Sequence, residues 1–185
     1  SYARRGSWVK EQQLNLTREE KWAITQAIDI NFRPENRVYR YNYFYDNCTT
    51  RARDMIVNHI NGNVLYAENK NVTTSYRQMI HQWNEQHQWA RFGNDLLLGV
   101  KADAKTDNAQ QQFLPDSLRE DFAHALVIDR QGQRRNLVDH TSYLIPPIEK
   151  PVEKAAVTPI ICAILWLILT LVTCLVEWKS RRILW

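Results

Sequence analysis

Cys48 is the residue in this chain best placed to do covalent chemistry. It follows Asp46 and Asn47, whose short side-chain oxygens suit them to cap a helix start, and it precedes Ala52, Met55, Ile56, His59 and Ile60, which recur at helical spacing until Gly62. The spacing puts the thiol in the first turn of a helix. There the positive end of the helix dipole and the unpaired amides favour the thiolate, which is the nucleophilic form, and Arg51 and Arg53 add positive charge. The same amides offer a place for the oxyanion of an acyl intermediate. This pattern predicts acyl transfer or hydrolysis through a thioester. The competing reading makes Cys48 a small, buried apolar residue.

Thiol catalysis needs an imidazole within hydrogen-bond reach. The chain has five histidines. His59 lies about 16 Å further along the same helix at the standard rise, too far to serve. His87 falls on an apolar helix face and reads as packed, His81 falls on the opposite, solvated face, and no motif supports His124 or His140. The base is therefore expected before residue 1, and the start at Ser1 and the end at Trp185 read as those of a piece of a longer protein. No pair of His or Cys has ligand spacing, so no metal is expected, and no cofactor.

Residues 38–46 alternate strictly, with Tyr39, Tyr41, Tyr43 and Tyr45 on one face, which predicts a strand running into the Cys48 helix. Its phenol face, Tyr41 and Tyr43 above all, is a candidate lining for a substrate groove, against the alternative that the rings simply pack under a helix. Upstream, residues 16–31 read as a helix with Thr17 and Glu20 as a capping box, stopped by Pro34. Downstream come a polar connection (61–71) and a helix capped by Thr73 or Thr74, with Tyr76, Met79, Ile80, Trp83 and His87 as a core stripe. Phe92 and residues 96–98 continue helically to Gly99, and the segment to Gln112 reads as a loop with little packing. A helix over 114–125, a hairpin of 125–129 with 134–138 across Gln131-Gly132, and an aperiodic linker with Pro146, Pro147 and Pro151 complete the order.

Residues 159–176 carry no charge and approach the length of a membrane span, the alternative being a buried core helix. Lys179, Arg181 and Arg182 follow without an intervening acid, so the C-terminal end is expected in the cytoplasm and the large domain outside. The division expected is residues 1–142 as the domain outside, 143–157 as linker, 158–178 as span and 179–185 as a basic flank. Cys162 and Cys174 then lie within the span, leaving Cys48 as an exported thiol without a disulfide partner, which strengthens the catalytic reading. The chain has 24 Lys and Arg against 20 Asp and Glu, with the basic residues scattered, a balance that sets nucleic-acid binding aside.

The run Tyr41-Asn42-Tyr43-Phe44-Tyr45-Asp46-Asn47-Cys48-Thr49-Thr50-Arg51 is preceded by Pro34-Glu35-Asn36-Arg37. Residues 99–103 and Phe113-Leu114-Pro115 follow it. Together they resemble the periplasmic domain of the Lnb-type bacterial lipoprotein N-acyltransferases, over roughly residues 4–139. The resemblance implies an α+β, circularly permuted papain-like domain related to NlpC-like hydrolases, incomplete at its N-terminus and followed by a transmembrane helix, with the catalytic histidine ahead of the cysteine in sequence. It carries Cys48 over as the nucleophile and Asn47, Thr49, Thr50 and Arg51 as neighbours with structural or oxyanion roles. The activity it implies uses a membrane phospholipid as acyl donor and the α-amine of a diacylated lipoprotein as acceptor, at the bacterial inner membrane. A membrane-tethered cysteine hydrolase of peptidoglycan peptides and a non-catalytic binding module are the alternatives.

Overall fold

The computed structural model describes residues 2–67, 74–148 and 156–180. The chain forms two compact units, one of Ser1–Tyr76 with Lys105–Lys150 and the other of Arg77–Ala104 with Pro151–Trp185. Helix and strand are mixed, making the architecture α+β.

The first unit begins with β1 (Val9–Leu14) and α1 (Arg18–Phe32). Thr17 caps α1 as the sequence requires: its side chain accepts from the Glu20 amide, and the Glu20 carboxylate accepts from the Thr17 amide at 2.8 Å. Arg33 leaves the helix in extended geometry ahead of Pro34. α2 (Cys48–Val57) and β2 (Asn63–Leu65) follow. Gly62 between them has φ of 141°, and a Cβ there would collide with the Ile128 carbonyl, so only glycine fits. Then come α5 (Asn108–Gln111), α6 (Pro115–His124), the expected hairpin of β3 (Leu126–Ile128) and β4 (Arg134–Asn136), and β5 (Val138–Ile145).

Three assignments change. Residues 38–46 form no strand: Asn42 and Asp46 exchange backbone hydrogen bonds at 3.0 Å around a turn, and the Asn42 side chain accepts from the Phe44 and Tyr45 amides at 3.1 Å. An Asx side chain that satisfies these amides locally removes their reason to join a sheet. Residues 143–145 belong to β5 rather than to a linker, because β5 pairs antiparallel with β1, from Leu14↔Val138 to Val9↔Ile145. The polar connection after α2 includes β2, which extends the hairpin into a three-stranded sheet of order β2-β3-β4. Residues 68–71 of the expected connection, the cap candidate Thr73, residues 149–155 of the expected linker and residues 181–185 of the expected basic flank lie outside the described residues.

Ile60, Phe122, Ala125, Val127, Leu137 and Val138 are the core, flanked by Leu14, Ile56, Val64 and Leu118. Glu20, 2% exposed, ties the unit together: besides Thr17 it accepts from the Asn61 amide at 2.8 Å and from Arg135 Nη2 at 2.6 and 2.7 Å. Arg135 also donates to the Asn15 carbonyl.

The second unit holds α3, whose span Tyr76–Trp83 starts at the boundary, with α4 (Gln88–Leu97) and α7 (Pro159–Ser180). Met79 and Ile80 are buried as the stripe predicts, but residues 84–87 break the helix, and His87, expected to be packed, is exposed at the α4 N-terminus. His81 is not on a solvated face either: it is largely buried, with Nε2 2.7 Å from Asp95. The segment read as a loop contains a 3-10 turn over Val100–Asp103, with Ala102 buried and Asp103 paired to Arg77 at 2.6 Å. Further along, in the first unit, Thr106, Gln111 and Gln112 are buried too. None of the side chains of α7 is buried, and its 22 residues are long and apolar enough to cross a membrane.

Candidate active site around Cys48

Cys48 is the first residue of α2, and its side chain is exposed. Asn47 holds the helix start in place from both sides. Its Oδ1 accepts from the Thr49 and Thr50 amides at 2.8 and 2.9 Å, its own amide donates to Thr50 Oγ1 at 2.9 Å, and its Nδ2 donates to the Tyr43 and Phe113 carbonyls, both at 2.9 Å. Asn47, Thr49 and Thr50 are all buried. The cap therefore fixes where the thiol stands.

The Thr49 and Thr50 amides and the Asn47 carboxamide are engaged in the cap. Cys48's own amide, at the first helical position, has no intrahelical carbonyl to meet and is the first-turn donor left for an oxyanion.

The two arginines expected to add charge are both paired. Arg51 grips Asp46 in a fork, Nε to Oδ1 at 2.6 Å and Nη2 to Oδ2 at 2.9 Å, and its guanidinium lies 3.5 Å from the Tyr39 ring centre. The hydrogen bond from Arg51 holds the Asp46 carboxyl below the ordinary carboxylate range. Arg53 turns to Asp54 at 2.7 Å and to the Ala109 carbonyl at 3.2 Å. Positive polarity at the thiol thus comes chiefly from the backbone.

Cys48 opens into a groove of about 1090 Å³ between α1 and α2. Its walls are mostly apolar, with Trp22, Ala27, Ile28, Ala52 and Met55 among them, and His59 lies at the end remote from the thiol along α2. The expected lining residues Tyr41 and Tyr43 do not line it; both are about half exposed on the turn before α2. Tyr43 packs edge-on to Phe113 with ring centres 5.9 Å apart. Tyr41 stays within electrostatic reach of the thiol: desolvation first, then the anionic form of Cys48, push its phenol up. The sequence reading names no groove beside α1; in the structure α1 buries only Glu20 and leaves Trp22, Ile28 and Phe32 exposed.

No histidine hydrogen-bonds to Cys48 among the described residues. His59 Nδ1 donates to the Met55 carbonyl at 2.9 Å, which leaves its Nε2 as the acceptor in the neutral ring. His81 is held by Asp95, His124 sits 3.2 Å from Glu120, and His140 is exposed on β5. No cluster of three His, Cys, Asp or Glu that could hold a metal occurs among the described residues.

Residues 1–82 match the family model described as the Lnb N-terminal periplasmic domain. No curated protein and no solved structure matches the chain. A periplasmic domain of this kind, followed by an apolar helix of spanning length, fits a membrane-anchored protein. The matched residues include the thiol, its cap and α1, and with them the Asn47-Cys48-Thr49-Thr50-Arg51 run that carries the resemblance; residues 99–103 and Phe113-Leu114-Pro115 lie outside the match.

Proposed function

We propose that this chain provides the nucleophile of a membrane-anchored lipoprotein N-acyltransferase with a permuted papain-like arrangement. The observation that carries the reading is an exposed thiol at a capped helix start, opening onto an apolar groove. Cys48 as thiolate attacks the ester carbonyl of a phospholipid. A C–S bond forms, the C–O bond breaks, and the lysophospholipid alkoxide leaves with the proton that the base, expected ahead of residue 1, had taken from the Cys48 thiol. The α-amine of a diacylated lipoprotein then attacks the thioester, a C–N bond forms, and the thiolate is released as the amine gives up its proton to the base. The Cys48 amide faces the developing oxyanion. Walls such as Ile28, Ala52 and Met55 make the groove mostly apolar and suit an alkyl chain, with Gln26, Asn31 and Asp54 among the polar residues that border it.

The test is mass spectrometry of the Cys48 peptide after the full-length protein meets phosphatidylethanolamine vesicles. The expected result is an acyl adduct on Cys48, release of lysophospholipid, and discharge of the adduct on adding a diacylated lipopeptide. Lipopeptide that is still triacylated by the Cys48→Ala variant would reject the proposal.

A further inference from the structure

α4 wears its amphipathicity inside out. Its Asp95 is tied to its own unit, taking Arg77 Nη1 at 2.7 Å and His81 Nε2 at 2.7 Å, and Arg77 also donates to the Leu98 carbonyl at 3.2 Å, while Gln88 and Arg91 stay exposed. Trp89, Phe92 and Leu96 gather at i, i+3 and i+7 on one arc of the helix, to one side of Asp95, with Leu97 further round. All four are exposed, Leu96 at 71% and Leu97 at 86%, and Val100 just beyond the helix is equally open. A surface helix in water does the reverse, turning its apolar stripe inward. The charge pairs hold α4 in the orientation that leaves its apolar face uncovered.

A second contact says what covers it. The indole Nε1 of Trp89 donates to the Val157 carbonyl at 2.8 Å. Val157 stands two residues before Pro159, where α7 begins. If α7 spans the bilayer, the residues at its entrance lie at the headgroup level, and a side chain bonded to that backbone shares their depth. Indoles are the side chains that favour this depth, with an apolar ring toward the acyl chains and an N–H toward polar groups.

We propose that α4 is an interfacial helix, lying along the membrane surface beside the entrance of α7 with Trp89, Phe92, Leu96 and Leu97 in the boundary between headgroups and acyl chains. The occupant of the uncovered face is lipid. The inference rests on α7 as a span and is independent of acyl transfer. Its effect is to fix the second unit against the bilayer by a helix surface as well as by a single tether.

The test uses the full chain with Cys48, Cys162 and Cys174 replaced by Ser, a fluorophore on Leu96→Cys or Leu97→Cys, and phosphatidylethanolamine–phosphatidylglycerol vesicles. Both positions point outward, so labelling leaves the packing alone. A label on Arg91→Cys, exposed on the other side of the same helix, is the reference. The expected result is iodide quenching several-fold weaker at 96 and 97 than at 91, with strong quenching at 96 and 97 by lipids carrying a nitroxide near the headgroup. Equal iodide access at all three positions would overturn the proposal. Protection from iodide that vanishes when the protein is diluted into excess lipid, with no quenching by the lipid nitroxide, would overturn it in favour of a second copy of the chain.

Discussion

The side chain of Asn47 donates to the main-chain carbonyl of Phe113, 66 residues away, at 2.9 Å. A residue that would otherwise only begin a helix thereby locks that beginning to the junction of α5 and α6, and Cys48 is the next residue along. Phe113 is itself buried among Phe44 and Tyr76, with ring centres 5.7 and 5.2 Å away. The position of Cys48 is thus referred to a packed aromatic cluster rather than to the mobile end of a helix.

Replacing Asn47 with Ala should remove the cap and strand two carbonyls, at a cost of about 2 kcal/mol. Denaturant unfolding measures it. Asn47→Asp keeps the acceptor for the Thr49 and Thr50 amides but aims an anionic oxygen at the Tyr43 and Phe113 carbonyls. It should therefore also fall below the parent, and a neutral result would show that the link to Phe113 carries no weight.

The groove makes a sharper demand. Met55→Asp introduces a charge where the acyl chain is proposed to lie, and acyl capture on Cys48 should drop about tenfold or more, the worth of a few buried methylenes. Intact-mass kinetics with phospholipid read it, and alkylation of Cys48 by a small polar reagent should proceed as before. Capture at the parent rate would exclude this groove as the chain-binding site.

Glu20 and Arg135 set the stability of the first unit. Glu20→Gln leaves the guanidinium opposite a neutral amide and should cost about 3 kcal/mol. Adding Arg135→Met should recover part of that loss, because the charge left without its counter-ion is removed. Denaturant midpoints of the single and double variants, compared as a cycle, provide the check.

Tyr76 predicts an alkaline limb. Burial, and next the neighbouring Tyr45, raise its phenol from 10.0 to about 12. The folded state thus keeps its proton while the unfolded chain loses it. The stabilisation is whole below the ordinary tyrosine value and is lost as pH rises toward the folded value, by ~2 kcal/mol from this group. Tyr76→Phe should flatten that limb in part, since burial raises Tyr66 as well. An unchanged slope would deny Tyr76 the role.

What the sequence disclosed followed from local chemistry. Thr17 with Glu20, Asn47 before Cys48, and Gly132 in a turn each carry their own hydrogen-bonding logic, and α1, α2 and the β3–β4 hairpin stand where that logic puts them. The strand expected over 38–46 fell to the same kind of logic, because Asn42 satisfies two amides that a sheet would have claimed. The pairing of β1 with β5 was illegible for a different reason: Gln12, Gln13, Thr141 and Ser142 show no alternation of apolar and polar, and their partners are remote in sequence. Nor did the apolar residues of α1 announce that they would border a groove, since a stripe facing a cavity and a stripe facing a core are spelled alike.

Among the described residues β1 pairs with β5, Leu14 opposite Val138, across more than a hundred residues of chain. Closing so long a loop comes at a price in chain entropy that local contacts never meet, so residues 9–14 have no partner within this unit until β5 has been made. During synthesis and export this leaves a long window in which a bare edge is open to capture by a chaperone or by another chain.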